Sequence, residues 1–440
     1  MSNNYFHSIT LDKEKCMGCT NCIKRCPTEA IRVRNGKAQI IEERCIDCGE
    51  CIKVCPYHAK VAITNSLDEI NKFKFKIALP APTIYSQFKE KDINKIIHSL
   101  YSLGFDYVFE VAIAAEIVSL WTREIIKSNH IKMPIISSAC PAVVRLIQIK
   151  FPNLIENILP LSSPMELAAR ISKEYISQTK NIKINDIGVF FISPCAAKMT
   201  YIKNPIGFNK SYVDGVIAIK DIYLKMRNLM KKSESIENKI SDANPTGILW
   251  AASGGESLAL GIDEYVNVDG IHNVLKVLEE IENGKMEDIK YFEGLACIGG
   301  CVGGPLTVEN SFVAKNRIKA LSSKYKKEKS SNIYYNNINY NNYLFEKKIF
   351  SNPVLELDSD IVEAMKKYEK ANEIVKILPG LDCGACGSPT CKSLAEDIVR
   401  GQANDTDCIF ILRESIKQLA NKMLELSNKL PPSLESEEKE

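Results

Sequence analysis

Sixteen cysteines are the residues of this chain with the most chemistry to offer, and they are not evenly spread. Eight lie in 16–55, four are far apart at Cys140, Cys195, Cys297 and Cys301, and four lie in 383–408. A reducing compartment does not keep so many cysteines as disulfides, so clustered thiolates read as metal ligands. The five histidines (His7, His58, His98, His130, His272) are scattered and never spaced as a metal pair. The donors are therefore nearly all sulfur, which favours iron–sulfur clusters or zinc. Sixteen divides into four groups of four without remainder, and four cluster sites are expected.

The first block reads Cys16-x2-Cys19-x2-Cys22-x3-Cys26-Pro27, then Cys45-x2-Cys48-x2-Cys51-x3-Cys55-Pro56. Three closely spaced thiolates grip three irons of a cubane, and the fourth cysteine of each run reaches the other cluster. This segment resembles a two-cluster bacterial ferredoxin, a carrier of single electrons. The pattern assigns Cys16, Cys19, Cys22 and Cys55 to one [4Fe–4S] cluster, and Cys45, Cys48, Cys51 and Cys26 to the other. Zinc is the alternative. The last block is Cys383-Gly-Ala-Cys386-Gly-Ser-Pro-Thr-Cys391, with Cys408 beyond a helical stretch at 392–400. It resembles a small domain holding one further [4Fe–4S] cluster. A zinc knuckle is the alternative, although a C-x2-C-x4-C triplet is unusual for tetrahedral structural zinc.

The middle cysteines sit in three motifs: Ser137-Ser138-Ala139-Cys140-Pro141, Ser193-Pro194-Cys195-Ala196-Ala197-Lys198, and Leu295-Ala296-Cys297-Ile298-Gly299-Gly300-Cys301-Val302-Gly303-Gly304. Any one cysteine alone would pass for a buried small hydrophobe. Cys297 and Cys301 are spaced by one helical turn, so both are expected to face one cluster. The three motifs in this order resemble those of the iron-only (FeFe) hydrogenases, over nearly the whole of 1–319. The resemblance implies an H-cluster: a [4Fe–4S] cubane on Cys140, Cys195, Cys297 and Cys301, joined through Cys301 to a diiron subsite with CO, cyanide and a dithiolate bridge. It also implies that Lys198 donates a hydrogen bond to an iron-bound cyanide. Pro80-Ala81-Pro82 and Ser253-Gly254-Gly255 resemble loops lining the cofactor.

The departures from the family pattern concern protons. Its catalytic members carry a second cysteine just before the first ligand, and here that position is Ala139. A serine further along their proton path aligns with Leu159, and a glutamate with Tyr201. Two methionines align with Ser193 and Leu295. Neither Ala139 nor Leu159 can carry a proton, while the ligand set is intact. With the extra C-terminal cluster block, this resembles the branch of the family assigned a sensory role, without the PAS domain that some members carry.

Such cysteines need strands and helices to converge them. Short apolar runs at 75–79, 107–111, 134–137, 187–193, 215–219 and 247–251 read as buried strands, with helical patterns between them at 164–178 and 222–232. The alternation predicts parallel sheets covered by helices, with ligands at the carboxyl ends of strands. The expected class is α/β: a two-lobed parallel-sheet hydrogenase domain at 74–321, preceded by a small α+β ferredoxin-like domain at 1–66. A linker or exposed insertion at 322–352 follows, rich in Lys, Ser, Asn and Tyr. Then come a connecting helix at 353–376, a helical iron–sulfur domain at 377–411, and a helix with an acidic tail at 412–440. Leu412, Ile416, Leu419, Met423, Leu426 and Leu430 alternate steps of four and three along that helix. Packing on its own domain is favoured there, and a homodimer seam is the alternative.

The charge balance excludes other classes. Lys and Arg number 57 against 54 Asp and Glu, a net charge of +3. No nucleic-acid footprint follows from so small an excess. The most apolar stretch, at 107–121, carries Glu110 and Glu116 and is too short to span a bilayer. No membrane association is expected, and the cytoplasm is the expected compartment. The leading reading is a slow hydrogenase acting on H2 and protons, serving as a hydrogen or redox sensor for a ferredoxin-like or signalling redox partner. The rivals are a hydrogenase-like iron–sulfur assembly scaffold and an electron carrier with no diiron site.

Overall fold

The computed structural model describes residues 5–90, 92–128, 130–232, 241–324 and 339–429. Two parallel sheets form the centre. Strands β5 (Phe75–Pro80), β6 (Tyr107–Val108), β8 (Ile187–Ser193) and β9 (Gly215–Ala218) make the first, in the order β6-β5-β8-β9. Strands β7 (Ile135–Ile136), β10 (Tyr265–Asp269) and β11 (Tyr291–Leu295) make the second, in the order β10-β11-β7. All pairings in both are parallel. Every residue of β8 is buried. Such an unbroken apolar run is what a strand covered by helices on both faces requires.

Four strands end at the residues of interest. β5 runs into Ala81-Pro82-Thr83, β7 into Ser137 to Cys140, β8 into Pro194-Cys195, and β11 into Ala296-Cys297. Cys140 and Cys195 then cap helices Pro141–Lys150 and Ala196–Lys203. A helix N-terminus carries partial positive charge, so both cysteines sit where an anionic group meets a favourable dipole. Pro141 at the first helical position suits a start whose N–H has no intrahelical partner.

Before this body come β1 (Ile9–Leu11), β2 (Ile31–Arg34), β3 (Lys37–Ile40) and β4 (Lys60–Ala62). β1 pairs antiparallel with β4, and β2 with β3. The small unit is welded to the larger one. Asn65 exchanges bonds with Val216 of β9 (2.8 Å each), and the Ser8 amide donates to the Thr200 hydroxyl (3.0 Å).

Several expectations are corrected. The run 247–251 is not a strand: Pro245–Leu249 is a helix, and Gly247 packs so closely on the Ala112 carbonyl that a Cβ would lie 2.1 Å from it. An apolar run of five cannot tell buried strand from buried helix. β10 and β11 stand where no strand was expected. Cys297 and Cys301 are not on one helix either. A turn closes from the Gly300 amide to the Cys297 carbonyl (3.0 Å), and Gly299 and Gly300 have φ of +85° and +93°. These positions suit glycine, and a 3-10 turn Cys301–Gly303 follows. Of the expected insertion, 325–338 lies outside the described residues, but 339–352 is docked. Tyr343 is buried, stacks on Trp121 at 5.3 Å between ring centres and lies under the Arg170 guanidinium at 4.5 Å. The connecting helix is Ile361–Ile377. The terminal helix Ile409–Ser427 packs on its own domain only through its first turn, where Ile411 meets the Leu394 cluster, and none of its residues is fully buried.

Candidate metal centres and hydrogenase site

Four cavities are lined by all the cysteines except Cys297. One is lined by Cys16, Cys19, Cys22 and Cys55, with Val33, Ala59 and Lys60 in its wall. A second is lined by Cys26, Cys45, Cys48 and Cys51. In both, the last cysteine of one run joins the first three of the other. The third is lined by Cys383, Cys386, Cys391 and Cys408. Backbone amides already point at sulfur: Ala30 to Cys26 (3.2 Å), Ala38 to Cys16 (3.4 Å) and Ala59 to Cys55 (3.3 Å). Amide-to-sulfur bonds of this kind tune cluster potentials.

The fourth cavity, of about 100 Å³, lies where the two sheets meet. Cys140, Cys195 and Cys301 line it, with Ala139, Lys198, Met165 and Trp250. Ala81, Pro82 and Thr83 form another wall, so the Pro-Ala-Pro loop lines the space. The loop Ser253-Gly254-Gly255 does not line it, and Trp250 and Ala251 do. That glycine loop instead backs Gly300, where an added Cβ would lie 2.5 Å from the Ser253 amide. Gly304 fits as closely against the Pro194 carbonyl, at 2.2 Å, which brings the second and third motifs together.

Cys297 is outside the wall of this cavity and faces the ferredoxin-like unit. Its thiol neighbours Lys53 and Cys140. Lys53 is held by Glu50 at 3.2 Å. Cys48 shares an apolar cluster with Cys140 and Cys195, and Gly49 abuts Pro305. The second cavity is thus next to the fourth.

Electrostatics tests whether metal clusters fit. Burial pushes the Cys195 and Cys51 thiols up to about 12, and raises Cys301 and Cys48 well above the ordinary thiol range. Around Cys301 the thiols of Cys140, Cys195 and Cys297 add to the effect. Thiolates buried together at this density need a bound cation, and metal coordination deprotonates them outright. Cys55 departs in the other direction. Burial raises it, but the amides of Lys60, Ala59 and Tyr57 and the Lys60 charge outweigh that and lower it.

Lys198 is part-buried and faces this cavity. Burial lowers its pKa, and the thiols of Cys195, Cys140 and Cys301, then Glu166, oppose that. Its Nζ reaches the Ser163 hydroxyl only at 3.5 Å and lies 5.5 Å from the Tyr201 ring centre. The buried Thr83 hydroxyl in the wall has no hydrogen-bond partner among the described residues. A weakly bonded ammonium and an unused hydroxyl facing a cysteine-lined cavity suit an anionic, polar-ligated metal unit. The donor set fits the H-cluster.

The other aligned positions are structural. Leu159 is buried in the core, its amide bonded to Ile136 (2.8 Å). The Ser193 hydroxyl bonds the Cys195 amide at 3.0 Å, and Leu295 is buried at the end of β11. The sequence reading missed a carboxylate network behind Ala139. Ser137 donates to Glu256 (2.8 Å), as does Tyr291 (2.5 Å), and Ser257 donates to Glu293 (2.7 Å). Burial, then the Glu293 charge, pushes Glu256 up to about 8, and burial raises Glu293 too. Glutamates scattered at 256 and 293 leave no local signal, because only the second sheet brings them together.

Comparison with known proteins decides the family. The model of the iron only hydrogenase large subunit, C-terminal domain, matches residues 74–266 and 260–305, more than half of the 440-residue chain. The chain belongs to the iron-only hydrogenase family. A 4Fe-4S dicluster domain matches 8–56, and an Fe-S cluster model matches 378–410. Among curated relatives, iron hydrogenase 1 of Clostridium pasteurianum is 24% identical over 370 residues, covering 68% of this chain and 64% of that protein. The chain spans between half and two thirds of the length of the curated hydrogenases it matches. A solved [FeFe]-hydrogenase, studied for oxygen inactivation at the H cluster 2Fe subcluster, shares the fold. Its TM-score is 0.50 at 15% identity, covering 65% of this chain and 98% of that one. The cytosolic Fe-S cluster assembly factor NAR1 of Yarrowia lipolytica is 26% identical over 104 residues, covering 23% of this chain and 21% of that protein. No helix among the described residues is long and apolar enough to cross a membrane.

Proposed function

We propose that this iron-only hydrogenase family member interconverts H2 with protons and electrons at low turnover and reports hydrogen or redox state to a partner. The observation that carries the reading is the cavity holding Cys140, Cys195, Cys301 and Lys198 beside Ala139. Cys140, Cys195 and Cys301 in its wall, with Cys297 just outside it, would hold the cubane of the H-cluster, and Cys301 would also serve the diiron subsite. When bound, that subsite would supply the chemistry of heterolytic H2 splitting. Lys198, in the cavity wall, would donate a hydrogen bond to that group and balance its charge. The apolar wall of Met165, Phe191 and Trp250 keeps bulk water out. Ala139 offers no proton donor, so turnover is slow for want of a relay. Three accessory [4Fe–4S] clusters, on the thiol sets lining the other cavities, carry electrons to a ferredoxin-like or signalling redox protein.

An iron–sulfur assembly scaffold is the second reading, favoured by the similarity to NAR1. The retained Lys198 and the C-terminal cluster block speak for the hydrogenase. Infrared spectroscopy of the anaerobically matured protein separates the two. The hydrogenase requires CO and cyanide stretching bands together with slow, measurable hydrogen evolution. Intact clusters without those bands would leave the scaffold or an electron carrier.

A further inference from the structure

One lysine of the small N-terminal unit has no place in the reaction above. Lys60, the first residue of β4, is 2% exposed, and its backbone is tied to Leu11 in β1. Its Nζ is buried and has no hydrogen-bond partner among the described residues. The side chain enters the cavity lined by Cys16, Cys19, Cys22 and Cys55. Its charge also acts on Cys51, in the neighbouring thiol set, as well as on Cys22 and Cys55. The ammonium therefore lies at the first set and within electrostatic reach of Cys51 of the second.

A buried ammonium without a partner is costly. Charge of the opposite sign must offset it in the working protein, and the thiolates around it are the groups placed to do so once they bind metal. We propose that Lys60 is the shared counter-charge of the two ferredoxin-type clusters and raises the reduction potential of both, most strongly that of the cluster on Cys16, Cys19, Cys22 and Cys55. The inference rests on the cluster assignment above. One-electron reduction adds one negative charge to a cluster. A fixed cation beside it stabilises the reduced form more than the oxidised form, and low-dielectric surroundings enlarge the difference.

The consequence is directional. The cluster that Lys60 favours most is the one farther from the H-cluster cavity, since Cys48 of the other set packs with Cys140 and Cys195. The C-terminal thiol set adjoins it: the loop at Gly387 bonds Val33 (2.8 Å), and Val33 lines the Cys16 cavity. Lys60 thus biases electrons away from the hydrogen site and toward the C-terminal domain. It is a positioning charge, since it touches no reacting atom.

The test is a redox titration of the full-length, anaerobically reconstituted protein, followed by electron paramagnetic resonance. Lys60→Met removes the charge and keeps most of the volume. Iron content and both cluster signals should persist. At the potential that half-reduces the Cys16-set cluster in the parent, its reduced-to-oxidised ratio should fall about tenfold, a 59 mV shift for one electron. The other cluster should shift the same way by less, and Lys60→Arg should stay near the parent. Unmoved potentials in Lys60→Met with intact signals would overturn the proposal. An equal shift in Lys60→Arg would overturn it too, by assigning the effect to packing. Lys60→Gln is judged by the same criteria if Lys60→Met does not load iron. Loss of both signals from the parent would instead strike the cluster assignment, and the inference would fall with it.

Discussion

Ala139 occupies the wall of the hydrogenase cavity beside Cys140, and its side chain is a methyl group. That methyl cannot donate a proton, and Leu159 is sealed in the core. A missing or misplaced proton donor costs about 10²–10⁴ in rate. Ala139→Cys is therefore expected to raise hydrogen evolution by about tenfold at most, because Leu159 still interrupts the path. It should also move the pH optimum toward the thiol range, and Ala139→Ser should do less. A pH–rate profile with excess electron donor checks this. The same rate at every pH, with the infrared bands intact, would shift the explanation to neighbours such as Ser193, Tyr201 and Leu295. Cys301→Ala should abolish hydrogen chemistry. Cys383→Ala should leave it intact with artificial carriers and remove one cubane signal. Equal loss in both variants, with the infrared bands present in each, would contradict this division of roles.

At the scale of elements, the C-terminal cluster loop is clamped onto the β2–β3 hairpin. Arg32 grips Asp397 with two bonds, at 2.5 and 3.0 Å, and Arg34 adds a third at 3.1 Å. Both Arg32 and Asp397 are buried. Breaking such a pair strands a charge in the interior and costs about 3–5 kcal/mol. Asp397→Asn should loosen the C-terminal unit, seen as faster proteolytic release of the segment after 376, while hydrogen evolution with artificial carriers persists. Resistance equal to the parent would show that the loop is held by other contacts. The terminal helix poses a separate question. Ile409, Ile416 and Met423 alternate with Leu412, Leu419 and Leu426, all of them exposed. Ile at one seam position and Leu at the other suit a parallel two-stranded pairing. Light scattering should give twice the chain mass, and Leu419→Glu should restore the monomer. A monomer at every concentration would remove self-association as the use of this helix.

At the scale of the molecule, the four thiol sets form a succession from the C-terminal unit through the ferredoxin-like unit to the joint between the sheets. Fully matured protein should contain about 18 iron atoms per chain, from four cubanes and a diiron unit. Iron near about 12, or zinc, would show that one block does not hold a cubane. The buried carboxylates make stability depend on pH. Glu256 is raised to about 8 from an ordinary 4.5, so the folded state keeps a proton that the unfolded chain has released. Between those values the folded state binds more protons, and stability falls as pH rises. Denaturant midpoints should be lower at high pH than at low pH within this window. Glu256→Gln should flatten the slope without removing it, because Glu293 is raised as well. A parent midpoint that rises with pH would contradict the assignment.

What could be read from the chain alone was local. Two ferredoxin runs and a C-terminal triplet announce themselves because metal chemistry demands fixed residue types at short spacing, whereas Lys198 stood out only through the family resemblance of its motif. The strand at β8 was readable because a strand buried on both faces is apolar throughout, and β5 because its apolar second half, Ile77–Pro80, is buried. Other features depended on long-range closure. The turn joining Cys297 to Cys301 is shaped by Gly300 and Gly304 fitting against Ser253 and Pro194, partners remote in sequence. The helix Pro245–Leu249 mimics a strand because five apolar residues carry no period. β10 and β11, the Glu256–Glu293 network, the docking of Tyr343 and the burial of Lys60 in the wall of the first thiol cavity were decided by tertiary structure. Burial and electrostatic neighbourhood are properties of where segments meet, and no spacing within one segment encodes them.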